Sequence, residues 1–326
     1  MVNEAVSPVL DRLLPDVRTL VLAAAATPFP VEVTTDAAVA RRYLALGRAG
    51  LGREPVAEPE PVASVDDRTL PSGVAVRVYR PALEGALPAL VFLHGGGWVL
   101  GNLEMHDETC RRLANRVPCV VVSVDYRLAP EHPFPAALDD VIEALGWVRA
   151  NAVTLGVDDR VVVCGTSAGG NLAAAAALRS RDDGLPPVRA QVLLYPVLDS
   201  TMSSGSYDEF GDGPMLDRRQ MAWYWDQYLG SAGRRDDPLA SPAHATDLAG
   251  LPPAVVVVAE CDVLRDEAEA YVVALRRAGV PVVARRLEGQ VHSFLRQLGV
   301  VAAADRALDE IAAAIGSLVG APRGTP

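Results

Sequence analysis

One serine of this sequence has neighbours that suit nucleophilic chemistry. Ser167 is the centre of the pentapeptide GTSAG at residues 165–169, which follows an apolar run ending at Cys164 and precedes a predicted helix beginning at Gly170. Between a strand and a helix, G-x-S-x-G forms a sharp turn that exposes the serine hydroxyl. We therefore predict that Ser167 attacks a carbonyl carbon. The alternative is a glycine-rich β–α turn that binds phosphate or only packs tightly.

A second glycine-rich motif, HGGGW at residues 94–98, directly follows another apolar run. Acyl transfer needs hydrogen-bond donors where the carbonyl oxygen becomes an anion. Backbone N–H groups are suitable if the chain can approach closely and turn freely, and glycine permits both. We predict an oxyanion hole formed by the N–H groups of Gly96, Gly97 and Ala168, with Gly95 as a further candidate. The alternative is a flexible glycine loop.

The general base and its acidic partner are expected downstream of Ser167, because enzymes with this turn have the chain order serine, acid, histidine. His292 follows the β-like residues 281–287 and precedes the final helix, which is a suitable loop position for a general base. Four carboxylates follow the apolar run at residues 254–258, and the residues alone leave all four open as the acid: Glu260, Asp262, Asp266 and Glu267.

The remaining histidines are interpreted as structural. His94 is predicted to brace the glycine loop through hydrogen bonds. His106 and His132 precede the serine turn and belong to structural stretches. His244 follows Ser167 but precedes the run at residues 254–258, so we interpret it as a surface or hinge residue.

The elements that must position these residues alternate between strands and helices. Continuous apolar runs without alternation indicate strands of a parallel sheet covered on both faces, at residues 89–93, 120–124, 161–164, 191–195 and 254–258. Predicted helices separate them at residues 106–116, 135–150, 170–179 and 266–278. Residues 62–70 and 74–79 are predicted to form a hairpin near the sheet edge through Pro71, Ser72 and Gly73. The pattern predicts an α/β fold with a doubly wound sheet.

Two regions are predicted to lie outside this core. Residues 1–50 are predicted to be helical, with one amphipathic stretch from Pro8 and another at residues 36–46. Residues 53–61 are predicted to form a linker or an extended loop. Residues 199–230 interrupt the alternation and are predicted to form a cap. We thus divide the chain into an N-terminal cap part (1–50), a first core part (51–198), the cap insertion (199–230) and a second core part (231–326).

Aromatic residues are candidates for the walls of a substrate pocket. Trp98 lies beside the glycine loop, Phe210 lies in the cap insertion, and a predicted cap helix carries aromatic residues between positions 223 and 228. The alternative is ordinary packing of the cap against the core, which we favour for the aromatic helix.

Three motifs together resemble the hormone-sensitive-lipase family of bacterial esterases. They are HGGGW at residues 94–98, DYRLAPEHPFPAA at residues 125–137 and GTSAGGN at residues 165–171. The resemblance implies an α/β-hydrolase fold, with a mostly parallel central sheet flanked by helices and a helical cap. It also implies activity on short- to medium-chain acyl esters without a cofactor.

The resemblance selects the acid among the four carboxylates. The family has Asp-Pro-Leu in this loop, which matches Asp262, Val263 and Leu264, so Asp262 is the predicted acid and Glu260 the next candidate. Val263 replaces the usual proline, and Ser293 replaces the glycine that usually follows the histidine. Each replacement bears on the backbone conformation of its own loop.

The predicted protein is a carboxylesterase with Ser167, His292 and Asp262 as its catalytic residues. An amidase, an arylformamidase or a lactonase on the same skeleton is an alternative. A ligand-binding protein that keeps the fold without catalysis is a further alternative, although His292 argues against it.

Charge and composition restrict the partners. The net charge of −11 argues against nucleic acid and anionic membranes, which attract basic patches. No C-x-x-C pair occurs, so the sequence does not support a metal site. The N-terminus has no signal-peptide pattern and no apolar run is long enough to span a membrane, so we predict a cytoplasmic protein that acts on a small-molecule ester. The resemblance suggests a homodimer through the edge of the last strand.

Overall fold

A single eight-stranded sheet forms the centre of the computed structural model, which describes residues 7–26, 35–45, 58–231 and 234–320. The strands are β1 (Ser64–Thr69), β2 (Ala75–Arg80), β3 (Leu87–Leu93), β4 (Val120–Val124), β5 (Val157–Thr166), β6 (Ala190–Leu194), β7 (Ala254–Cys261) and β8 (Val282–Val291). Their order is β1-β2-β4-β3-β5-β6-β7-β8. The pairs that include β2 are antiparallel and the other neighbouring pairs are parallel.

Helices connect the parallel strands, as the alternating sequence pattern predicts. The α-helices of the described residues are α1 (Ser7–Leu10), α2 (Pro15–Ala26), α3 (Ala37–Ala45), α4 (Asp107–Arg116), α5 (Ala136–Ala150), α6 (Ala152–Leu155), α7 (Ala168–Asp182), α8 (Gly205–Phe210), α9 (Arg218–Leu229), α10 (Arg265–Arg277) and α11 (Ala302–Val319). The predicted hairpin is also present, with Gly73 at φ +96° in its turn. This architecture is the α/β-hydrolase fold, and the fold prediction is confirmed.

The core lies on both faces of the sheet. Every residue of β3, β4 and β6 is buried. Because successive side chains of a strand point to opposite faces, burial of all of them requires cover on both sides. Helices α5 and α7 pack together against the sheet, and α4 and α11 form a second packed pair. The uninterrupted apolar runs therefore reflect two-sided burial.

Four parallel strands end directly before the residues that the sequence singles out. β3 ends before the glycine loop (residues 94–98), β5 before Ser167, β7 before Asp262 and β8 before His292. Carboxyl ends of parallel strands lie at one edge of a sheet, where ligands bind in folds of this class. The topology therefore brings together groups that are up to 198 positions apart, the separation of His94 and His292 in the sequence.

The predicted insertion between β6 and β7 contains α8 and α9 and no strand. A capping box starts α9, in which Asp217 accepts a hydrogen bond from the Gln220 N–H at 2.7 Å. The other end of α9 packs on the core, because the ring of Tyr228 stacks on Trp98 with centroids 4.1 Å apart. Trp225 lies 4.7 Å from Trp98 on the same measure. These rings fix α9 beside the glycine loop.

The N-terminal helices agree with the predicted stretches within the described residues. Helix α1 begins at Ser7, one residue before the stretch predicted from Pro8, and α2 follows it. The stretch predicted at 36–46 contains α3. Positions 1–6, 27–34 and 46–57 of the predicted helical part and linker lie outside the described residues. Arg41 of α3 donates hydrogen bonds to the carbonyl oxygens of Val99 and Ala129 at 2.8 and 2.6 Å. In the part of the chain that the structure describes, we find no helix both long and apolar enough to cross a bilayer. The division into cap and core parts remains a prediction.

Leu90 and Leu83 are the same residue type with different exposure, so their substitution tests which residues form the core. Leu90 is 1% exposed in β3, whereas Leu83 is 44% exposed in a loop. We expect Leu90→Ala to lower the free energy of unfolding by about 2–5 kcal/mol, because it leaves a cavity between sheet and helices. Leu83→Ala should change it by about 0.5 kcal/mol or less. Equal losses in denaturant unfolding would contradict this assignment of the core.

Candidate active site

Ser167 occupies a turn that only a narrow set of neighbours permits. Its backbone has φ 55° and ψ −117°, and α7 begins at the next residue. A Cβ on Gly165 would lie 2.1 Å from the carbonyl oxygen of Gly169, and one on Gly169 would lie 2.0 Å from that of Leu93. Both glycines are therefore required by backbone contacts, which is the steric reason for the G-x-S-x-G pattern.

Ser167, His292 and Asp262 form a continuous chain of hydrogen bonds. His292 Nε2 lies 2.9 Å from the Oγ of Ser167, and His292 Nδ1 lies 2.7 Å from the Oδ2 of Asp262. The other carboxylate oxygen of Asp262 accepts the N–H of Leu264 at 3.0 Å. The three residues are at most 6% exposed, so bulk water does not compete for these bonds. The imidazole can thus take the serine proton while the carboxylate holds its second nitrogen.

The two departures from the family pattern lie in the loops next to His292 and Asp262. Ser293 has φ +61°, so it takes the left-handed conformation that glycine adopts without strain. Val263 keeps the loop in place by packing, since it is fully buried and its carbonyl oxygen accepts the Ser206 hydroxyl at 2.6 Å. The imidazole of His292 also meets the ring of Tyr195 edge-on, with centroids 5.1 Å apart.

The glycine loop lies directly against the serine. A Cβ on Gly95 would come within 3.3 Å of the Cβ of Ser167. Gly96 has φ +119° and Gly97 has φ +60°, both in the region that favours glycine. A Cβ on Gly97 would lie 2.2 Å from the ring of Tyr224 in α9. The loop is therefore packed between the serine turn and α9.

The remaining acid candidates have other partners. Glu260 pairs with Arg12, and Asp266 pairs with Arg265. Glu267 accepts the N–H groups that follow β6, and its burial raises the pKa of this carboxyl well above its usual value. Among the four carboxylates, Asp262 is the one in hydrogen-bond contact with His292.

Comparison with known proteins identifies the family of the chain. A family profile described as the α/β hydrolase fold matches residues 90–296. The chain belongs to this family. The resemblance of this hydrolase to the hormone-sensitive-lipase family is thereby confirmed.

Several relatives of this hydrolase are esterases by name. The carboxylic ester hydrolase LipN of Mycobacterium tuberculosis is 44% identical over 257 residues, which cover 74% of this chain and 68% of LipN. The esterase LipI of the same organism is 39% identical over 290 residues, covering 86% of this chain and 88% of LipI. A solved thermostable esterase from Pseudomonas putida superposes with a TM-score of 0.87 at 34% identity, covering 95% of this chain and 98% of that one.

A cavity opens above Ser167 of this hydrolase. Ser167, His292 and the three glycines line it together with apolar and polar side chains that sequence reasoning missed: Leu100, Met105, His106, Met215, Leu216, Gln220, Met221, Ser293 and Arg296. His106, predicted to be structural, is thus also a cavity residue. Gln220, Met221 and Tyr224 of α9 follow the spacing of one helical face, which is the signal that could have identified this wall.

The predicted pocket residues Trp98 and Phe210 are corrected by this lining, because neither side chain belongs to it. Trp98 is fully buried against Tyr228, and Phe210 lies under the guanidinium groups of Arg12 and Arg265 at 5.2 and 5.1 Å. Helix α9, the predicted aromatic helix, has residues in both predicted roles, as pocket wall and as packing against the core. Its residues Trp223 and Tyr224 line the cavity, whereas Trp225 and Tyr228 pack on the core.

Three other histidines of the hydrolase lie away from the Ser167 hydroxyl. His94 Nδ1 is 2.9 Å from the carbonyl oxygen of Gly95, and its ring stacks on Tyr126 at 4.2 Å, so it braces the glycine loop. His244 pairs with Asp199 at 3.1 Å, and His132 is exposed.

The burial of His94 gives the hydrolase a predictable loss of stability in acid. Desolvation lowers the pKa of His94 to about 4, so the folded protein holds this imidazole neutral while the unfolded chain protonates near pH 6.5. Above pH 6.5, His94 therefore leaves the free energy of unfolding unchanged with pH. As the pH drops toward 4, protonation of the unfolded chain lowers the free energy of unfolding by about 2–3 kcal/mol. We expect His94→Gln to remove that part of the pH dependence in denaturant unfolding at pH 7.5 and 4.5. An unchanged pH dependence in the variant would contradict the prediction.

Proposed function

We propose that this hydrolase is a carboxylesterase that cleaves short- to medium-chain acyl esters through an acyl-enzyme. The hydrogen-bond chain from Asp262 through His292 to Ser167, at the wall of a largely apolar cavity, carries the proposal. The esterase names of the relatives support the choice of an ester bond.

In the proposed mechanism, His292 acts as general base. Its Nε2 takes the proton of Ser167 as the oxygen attacks the ester carbonyl, and its Nδ1–H stays bonded to Asp262. The imidazolium then gives the proton to the departing alcohol, which leaves an acyl group on Ser167. Water, deprotonated by His292, attacks the acyl-enzyme and restores the free serine.

The glycine loop and the start of α7 are proposed to hold the oxyanion. Gly95, Gly96 and Gly97 line the cavity beside Ser167, and Ala168 is the first residue of α7. The first N–H groups of a helix lack intrahelical partners, and the helix dipole favours negative charge there. Both features support donation from Ala168 together with the glycine loop.

The alternative enzymes differ from this proposal in the bond that they cleave, and the ligand-binding alternative differs in having no catalytic activity. An amidase, an arylformamidase or a lactonase would use the same three residues. A protein that only binds a ligand has no need of a base hydrogen-bonded to both a serine and an acid. The esterase is favoured by the names of its relatives, and parallel assays with matched esters, lactones and amides discriminate among the enzymes.

The proposed cellular form is a cytoplasmic homodimer that contacts a second copy through β8. This strand is the last of the sheet, so in the described part of the chain its outer edge has no strand neighbour. Sedimentation of the purified protein measures its oligomeric state, and a monomer at micromolar concentration would contradict the proposed dimer.

Ser167→Ala tests the nucleophile. We expect it to lower kcat for short aryl esters by at least about 10⁴-fold while the fold is kept, because the attacking oxygen is removed. A fluorophosphonate probe followed by peptide mapping should label Ser167 in the wild-type protein and nothing in the variant. Wild-type turnover by the variant, or labelling of another residue, would refute the assignment.

Tyr224→Ala tests the proposed pocket. Tyr224 lines the cavity, so its removal should raise kcat/KM for a longer acyl chain relative to a short one by about tenfold. Phe210→Leu is the matched control, because Phe210 is buried outside the lining and should leave the ratio unchanged. An equal shift of the ratio in both variants would contradict this description of the walls.

A further inference from the structure

The last two strands lose their regular register just before they deliver the acid and the base. Ala259 of β7 pairs with Leu287 of β8, and Cys261 then pairs with Val291. One residue thus lies between the pairs on β7 and three residues lie between them on β8. The resulting bulge shifts the register of β8 relative to β7, so that Val291 pairs with Cys261. The residues that follow the two strands, His292 and Asp262, therefore lie side by side.

Glu260 is the single residue between the two pairs on β7, and its carboxylate bonds to the bulge. Its Oε2 accepts the N–H of Gly289, the middle one of the three bulge residues on β8, at 2.7 Å. Gly289 has φ +67°, and its carbonyl oxygen accepts the N–H of Leu14 at 3.2 Å. A Cβ on Gly289 would lie 2.7 Å from that same nitrogen of Leu14. The bulge is therefore held from β7 and from the turn between α1 and α2.

Arg12, in the same turn, completes the contact from the N-terminal side. Its Nε and Nη2 donate to the Oε1 of Glu260 at 2.9 and 2.7 Å, and its Nη1 donates to Glu209 of α8. Glu209 also accepts the Nη2 of Arg265 at 2.7 Å. Burial by itself raises the pKa of Glu260, but the bonds from Gly289 and Arg12 outweigh it and lower the pKa. Glu260 is thus an anion with donors on both oxygens.

We propose that Arg12 is a positioning residue that, through Glu260, holds the β8 bulge and thereby the alignment of His292 with Asp262. The inference rests on the proposed function of these two residues and assigns a role to the N-terminal turn. Isolated surface ion pairs contribute little. Here, however, Arg12 donates charge-assisted hydrogen bonds to Glu260 of β7 and Glu209 of α8, and Glu260 in turn accepts the N–H of Gly289 in β8. Displacement of a reacting group by about 1 Å can lower a rate about 100-fold.

Arg12→Met is the main test. We expect kcat for a short aryl ester to fall by about tenfold to 100-fold with KM changed by less than about twofold, because the cavity walls stay in place. Arg18→Met is the control, since Arg18 belongs to the same segment but pairs only at the surface with Asp11 at 3.3 Å. It should keep the wild-type kcat. Arg12→Lys keeps the charge and one donor, so its kcat should lie between those of the wild type and Arg12→Met.

A spectroscopic measurement separates positioning from general loosening and does not depend on turnover. At acidic pH, the Nδ1 proton shared by His292 and Asp262 should give a far-downfield proton NMR signal, identified by its loss in His292→Gln. We expect this signal to be present in Arg18→Met and to broaden or vanish in Arg12→Met. Thermal unfolding of each variant verifies that the comparison uses folded protein. If Arg12→Met does not fold, Arg12→Lys and Glu260→Gln are judged by the same two readouts.

Several results would overturn the proposal. They are a wild-type kcat in Arg12→Met, a fall in kcat with an unchanged downfield signal, and an equal fall in Arg18→Met. A wild-type protein that hydrolyses no ester would refute the proposed function instead, and the NMR signal would still decide whether Arg12 aligns His292 and Asp262.

Discussion

The parallel pairing of β3, β5, β6, β7 and β8 is the constraint on which the site depends. Parallel strands end at one edge, so each chain turn at that edge delivers its first residues to the same place. Ser167, Asp262 and His292 each occupy the first position after a strand. The hydrogen bonds of 2.7 and 2.9 Å that join them are therefore a consequence of register, and the bulge in β8 is the local adjustment that completes it.

Close backbone packing is the second feature that makes the site. Gly169 lies against the end of β3, and Gly97 lies against Tyr224 of α9, in both cases without room for a Cβ. The serine turn, the glycine loop and the cap insertion are consequently in direct contact. A displacement of α9 would reach the loop beside Ser167, which relates the shape of the cavity to the proposed catalytic groups.

Burial determines the charge states around this contact. The pKa of His94 falls to about 4 because its ring is fully buried, so the imidazole that supports the glycine loop is neutral at physiological pH. Glu260, in contrast, has donors for both carboxylate oxygens and remains an anion. Desolvation without a charged partner thus keeps one group neutral, whereas donors on both oxygens keep the other charged.

Local patterns and chain order were sufficient to predict the strand and helix order, the serine turn, the glycine loop and the choice of His292 as the base. The residues alone left four carboxylates open as the acid, of which the family resemblance favoured Asp262, and Trp98 and Phe210 were predicted to line the pocket. The hydrogen bond between Asp262 and His292 and the burial of Trp98 and Phe210 outside the cavity lining become visible only in the tertiary structure, since a side chain's partner depends on strand register and helix packing between distant segments. The same reason hid the contact of Arg12 with Glu260, whose residues are 248 positions apart.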